Sequence, residues 1–184
     1  SISGGGLNLI STQTASSSAT IDFTSGIDST YKEYIFKFIN IHPATNNAYL
    51  TFQASTDSGS NYNTTCTSTA FNCYQNEAGN STSLGYNGSR DVAQSTSFVP
   101  IQIDGVSNND DGSSVATLHL FDPSNTTFVK HFMCTDQKMG QTAGYSFNDF
   151  TAGYFNTASA IDAIQFKFSS GNIDSGVIKL YGVS

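Results

Sequence analysis

Tryptophan is missing from this 184-residue chain. Many sugar-binding modules use its ring as a stacking platform, so the absence weighs against a lectin, although tyrosine can serve instead. Charge is scarce as well. Asp, Glu, Lys and Arg together make up 11% of the residues, less than half the usual ~25%. The basic residues are Lys32, Lys37, Arg90, Lys130, Lys138, Lys167 and Lys179, scattered along the chain. Without a basic patch to neutralise phosphates, nucleic acid is not an expected partner. Anionic membrane surfaces are disfavoured for the same reason, and no run approaches the ~20 apolar residues of a membrane helix. No secretory signal is visible at the N-terminus, a feature a processed chain would also lack. Cysteine is sparse and odd in number. Cys66, Cys73 and Cys134 rule out a fully paired disulfide framework within one chain. Either all three are small, reduced, packed thiols, or Cys66 and Cys73 pair across a hairpin.

What fills the chain is Ser, Thr, Asn and Gly, together with fourteen Phe and nine Tyr. Disordered chains are poor in aromatics and rich in charge, so this one is expected to fold. Its length suits one domain with a sizeable core. Thr, Tyr, Phe and Ile favour pleated, half-buried surfaces, whereas Asn, Gly, Asp and Ser favour turns. The formal net charge is −7 and the sequence pI about 4.5.

The stretch Glu33–Tyr62 sets the design. Tyr34, Phe36 and Phe38 point one way, and Ile35, Lys37 and Ile39 the other. Leu50, Phe52 and Ala54 then alternate with Thr51, Gln53 and Ser55. Period-two alternation means strands with one face on a core. The rhythm recurs at 7–14, 19–25, 63–75, 98–103, 114–123, 126–135 and 145–157. It closes at 163–183 with a hairpin of the same kind, in which Ile164, Phe166 and Phe168 face inward and Ile178 and Leu180 answer them. Lys130 shares a face with Phe128 and Phe132. Pro100 places its strand at an edge or a strand end. About ten strands separated by frequent turn signals, with essentially no helix, predict an all-β antiparallel sandwich of jelly-roll type. Residues 1–6 are expected to be a flexible leader, and 7–184 the single β-sandwich domain. The glycines Gly4, Gly5 and Gly6 cost conformational entropy to order; their functional reading is an arm that orders against a partner subunit.

Ser55, Asp57, Gly59 and Tyr62 match S-x-D-x-G-x-x-aromatic, which resembles the Asp-box found on several unrelated β folds. Its expected role is structural: the carboxylate accepts from turn amides, Gly supplies a positive φ, and the ring packs beneath. It implies a hairpin tip and assigns no sialidase activity. Other chemistry is thin. His119 and His131 are expected on paired strands, and a zinc site would need Cys134 or Asp136 to join them. Asp110 and Asp111, in the run Asn109–Gly112, are weak candidates for Ca²⁺ through oxygen ligands, without EF-hand spacing. A glycosidase needs two carboxylates in a cleft, and the only glutamates, Glu33 and Glu77, lie near strand ends or loops. No G-x-S-x-G elbow is present for a hydrolase. Sequons begin at Asn63, Asn80, Asn87 and Asn125, as expected by chance in such a composition. No catalytic residue and no cofactor is assigned.

Three strings give the chain a family likeness. They are Y-x-x-Y-x-F-x-F-x-N-I-x-P at Tyr31–Pro43, S-x-D-x-G-x-x-Y at Ser55–Tyr62, and I-x-x-G-x-I-x-L-Y-G at Ile173–Gly182. In this order they resemble small exterior virion proteins of tailed bacteriophages, particularly marine ones. The resemblance implies a non-enzymatic structural protein, synthesised in the host cytoplasm and carried on the virion exterior as a capsid decoration, head-fibre or tail-fibre module. It implies sister copies in a homo-oligomer, a trimer among the options, and contacts with the major capsid protein or tail. The alternative is a receptor- or glycan-binding module that meets a host-surface glycan through loops 76–90 and 107–114. A small hydrolase ranks third.

Overall fold

Phe166 touches rings from both layers of the molecule, and its contacts define the architecture. The computed structural model describes residues 6–141 and 144–184. Within these lie twelve strands: β1 (Leu7–Ser18), β2 (Ile21–Phe23), β3 (Glu33–Pro43), β4 (Leu50–Ser55), β5 (Cys66–Asn76) and β6 (Thr82–Tyr86), followed by β7 (Val99–Pro100), β8 (Ser114–Phe121), β9 (Lys130–Met139), β10 (Tyr145–Phe155), β11 (Ala163–Phe168) and β12 (Ile173–Val183). An eight-stranded sheet runs β1-β12-β3-β8-β9-β10-β5-β6, and a four-stranded sheet runs β2-β11-β4-β7. All the strand pairs are antiparallel.

The two sheets close on each other through aromatic side chains. Phe166 of β11 meets Phe36 at 5.2 Å and Phe38 at 4.9 Å, both edge-on and both from β3. Phe52 of β4 meets Phe132 of β9 at 5.0 Å, again edge-on. Edge-to-face pairs add to the area they bury, and all five of these rings are excluded from solvent. The chain is therefore an all-β antiparallel sandwich with no helix among the described residues, as the alternation predicts. The strand order by itself does not single out a jelly-roll winding. Pro100 lies in β7, an edge strand, where its missing N–H costs no ladder bond.

Two local expectations are corrected. The pair 163–183 is not a hairpin: β11 lies in the smaller sheet beside β4, and β12 in the larger one beside β3. Residues 44–49 likewise carry the chain from β3 across to β4. Both connections are arches between layers, and Ala44 N–H donates to Asn172 O at 3.0 Å where they run side by side. Gly171 makes the second arch with φ +69°, against the Thr45 side chain of the first. Alternation misleads here because strands of both layers point Phe and Ile inward, so an arch and a hairpin read alike.

The second correction is β4, whose six residues are all buried. Thr51, Gln53 and Ser55 do face away from the core, but the segment before β7 roofs them. Gln53 Nε2 donates to Thr96 O at 3.0 Å and to Ser97 O at 2.9 Å. A buried amide needs such partners.

Candidate functional site

The Asp-box segment follows β4 and leads to β5 in the other sheet, so it forms an inter-sheet connection rather than the expected hairpin tip. Ser55 Oγ donates to Asp57 Oδ1 at 2.6 Å and accepts from Gly59 N–H at 3.0 Å. Asp57 also accepts from Asn61 N–H at 2.9 Å and from Asn61 Nδ2 at 2.7 Å. These donors favour the ionised form and pull the Asp57 carboxyl down to about 2. Gly59 has φ +82°, and a Cβ there would stand 2.8 Å from Tyr62 Oη. The side chains of Ser55 and Asp57 are thus spent on their own turn, whereas Ser58 reaches out to Asp162 and the buried Tyr62 hydroxyl has no hydrogen-bond partner among the described residues.

Asp110 and Asp111 lie in the exposed loop before β8, near His42 and Asp174. No group of three or more His, Cys, Asp or Glu side chains gathers to hold a metal ion among the described residues. His119 and His131 are not cross-strand neighbours. The register sets His119 opposite Met133 and His131 opposite Tyr154. His119 Nδ1 bonds Glu33 Oε1 at 2.6 Å. Cys134 and Asp136 point into the core, away from both histidines, so the suggested zinc set does not assemble. Cys66 and Cys73 occupy one strand, seven residues apart and on opposite faces, which places them roughly 23 Å apart. They cannot pair, and all three cysteines are free. Of the glycine arm, Gly4 and Gly5 lie outside the described residues. Gly6 sits beside the chain's other end, its carbonyl accepting from Ser184 N–H at 3.3 Å.

Two constellations come only from the structure. The first is internal. The inward residues of β9 are Lys130, Phe132, Cys134, Asp136 and Lys138, all buried. Lys138 Nζ donates to Asp149 Oδ2 of β10 and lies 3.6 Å from Asp136 Oδ2, with all three side chains sealed from solvent. Gln102 Nε2 donates to Asp136 Oδ1 at 3.0 Å, and Ile103 N–H to Asp149 Oδ2 at 2.7 Å. Burial pushes the Asp136 carboxyl up to about 7 and raises that of Asp149, with Lys138 opposing both shifts. The segment after β7 is thereby tied to the large sheet. The parity was visible, since Lys130 and Phe132 share a face and the alternation carries it on to Asp136 and Lys138.

The second is the outer face of the large sheet. Following the register from strand to strand gives one transverse row: Thr12, Lys179, Lys37, Thr117, Thr135, Phe150, Phe71 and Tyr86. Alternation puts all eight on the side away from the core. Phe71 and Phe150 are parallel to within 6° with centroids 4.8 Å apart. Beside them runs an apolar groove of about 430 Å³, with Met133 and Ala152 along it and Phe121 and His119 across from the ring pair. Tyr86 and Met133 are well exposed, at 61% and 58%. A further feature is β1, the edge of this sheet, which pairs on one side only among the described residues and whose twelve residues contain neither a charge nor a proline.

No protein-family model matches this chain, and neither a curated protein nor a solved structure does.

Proposed function

We propose that this chain is a non-enzymatic structural protein of the virion exterior in a tailed phage, attached through protein–protein contacts along β1. The observation that carries the reading is the edge position of β1. Edge strands present unpaired N–H and C=O groups, and proteins that must stay apart blunt them with Lys, Pro or short length. β1 is twelve residues long with none of these residues, and its side chains are mostly Ser, Thr, Asn and Gln. Such an edge suits strand addition by a sister copy or a neighbouring shell protein. Gly4, Gly5 and Gly6 immediately precede β1 in the sequence, so the proposed docking arm would extend the same contact. Neutral polar surfaces also lose less in salt than charged ones, which suits a particle exposed to medium or seawater.

The test is reconstitution. Purified protein is added to tailed-phage particles that lack it, and bound protein is measured by sedimentation. Wild type co-sediments, whereas Thr14→Lys with Ser16→Lys, which charges the edge, does not. Equal binding by the two proteins, or none by wild type, would overturn this assignment.

A receptor- or glycan-binding role is the second reading, favoured by the aromatic groove. Its contacts would lie on the sheet face around Phe71, Phe150 and Met133, rather than chiefly in loops 76–90 and 107–114. The two readings are compatible, because one uses an edge of the large sheet and the other its face.

A further inference from the structure

We infer that the transverse row on the large sheet binds an anionic polysaccharide chain bearing carboxylate or sulfate groups. This deepens the glycan-binding reading, rests on it, and is independent of how the chain is attached.

The charge argument comes first. Lys37 and Lys179 are directly opposed on β3 and β12, on the same face, and both are half-buried. Like charges set opposite each other destabilise a sheet. Neither lysine belongs to any ion pair or side-chain hydrogen bond among the described residues; those ion pairs involve Lys32, His119 and Lys138. Of the carboxylates on their strands, Glu33 of β3 is engaged by His119 and Asp174 of β12 accepts from Ser17 Oγ at 3.0 Å near the far end of its strand, and Asp136 on β9 points to the core. In a chain of net charge −7 with only seven basic residues, two stand side by side without a counter-charge. A ligand that brings the anion relieves that repulsion, and N⁺–H···O⁻ bonds are the strong class of hydrogen bond.

The rest of the row decides what kind of anion. Beyond the lysines come two hydroxyls, Thr117 and Thr135, then the Phe150–Phe71 pair and Tyr86. At roughly 4.8 Å per strand, Lys179 to Tyr86 spans about 29 Å. A single phosphate or sulfate would use one end of it. An extended chain of sugar rings uses it all: acid groups on the lysines, ring hydroxyls on the threonines, and apolar ring faces against the aromatics and the groove. Nucleic acid has the same features but carries a phosphate on every residue, a charge density that two cations on a strongly acidic protein do not offset; a polysaccharide with acid groups on only some of its sugars asks for no more cations than the row has. An acidic polypeptide would meet the lysines yet has no regular apolar face for the parallel rings.

The experiment is affinity electrophoresis of the intact chain through gels containing hyaluronate, partly methyl-esterified polygalacturonate, neutral dextran or poly-glutamate. Wild type is retarded by at least one anionic polysaccharide and by neither neutral dextran nor poly-glutamate. Lys37→Gln with Lys179→Gln weakens that retardation about tenfold or more, the scale of losing hydrogen bonds to a charged group. Phe71→Leu weakens it too, and its unchanged thermal midpoint shows that the fold is intact. Binding to neutral dextran that needs Phe71 but not the lysines would overturn the anionic specificity and leave the glycan-binding reading standing. Binding to poly-glutamate as strong as to the polysaccharides would overturn the sugar assignment. No retardation in any gel would overturn both.

Discussion

Lys138 and Asp149 form an ion pair between neighbouring strands, with neither side chain reaching solvent. Asp136 lies 3.6 Å from the same ammonium group. One cation therefore serves two acids in the interior. Removing one member of a buried pair strands the other and typically costs about 3–5 kcal/mol. Lys138→Met is expected to lower the unfolding free energy by about that much in urea titration. A loss below about 1 kcal/mol, the scale of an exposed pair, would show that the acids do not depend on Lys138.

The same cluster sets a pH dependence. The Asp136 carboxyl is raised from 3.8 to about 7 in the fold. Between those values the folded chain holds a proton that the unfolded chain has released, so stability falls as pH rises. The contribution is fully present below 3.8 and gone above about 7. Asp149 is raised as well and acts in the same direction. Denaturation midpoints measured across this range should decline with pH, and Asp136→Asn should flatten the slope. A wild-type midpoint that rises instead would contradict the direction of the shift.

Phe166 contacts Phe36 and Phe38 of the facing sheet as well as Phe23 and Phe52 of its own. Phe166→Ala is expected to cost about 3–5 kcal/mol, the range for deleting a buried ring from a packed interior. Chemical denaturation reads it directly. A cost near that of an exposed substitution would mean that the layers do not meet there.

Gly59 combines a positive φ with a Cβ position 2.9 Å from Thr24 Cγ2 and close to the Tyr62 hydroxyl. Gly59→Ala should destabilise by more than about 1 kcal/mol, because the backbone and the contact both oppose it. Ser58→Ala, which loses only the surface hydrogen bond from Ser58 Oγ to Asp162 Oδ2 and keeps the backbone one, should stay within about 0.5 kcal/mol.

Much of the fold was legible because alternation reports which side of a strand is apolar. Phe36, Phe38, Phe132 and Phe166 all face the core on the side their parity gave. Alternation does not report which layer a strand joins, and so β11 and β12 read as a hairpin. It also cannot supply register. Lys37 meets Lys179 through a pairing between strands far apart in sequence, and Asp149 meets Lys138 only because of the register adopted by the neighbouring strands β9 and β10. The cysteine alternative failed for a related reason: one long strand, β5, carries both Cys66 and Cys73 where a hairpin was considered.

The attachment edge is tested most directly by hydrogen exchange at the β1 amides, measured on the isolated chain and on the chain assembled on particles. Solvent-facing edge amides exchange readily, and strand addition protects them. The expected result is fast exchange at alternate positions of 7–18 in the free chain and slow exchange after assembly. Protection that appears elsewhere while β1 continues to exchange as in the free chain would contradict the account.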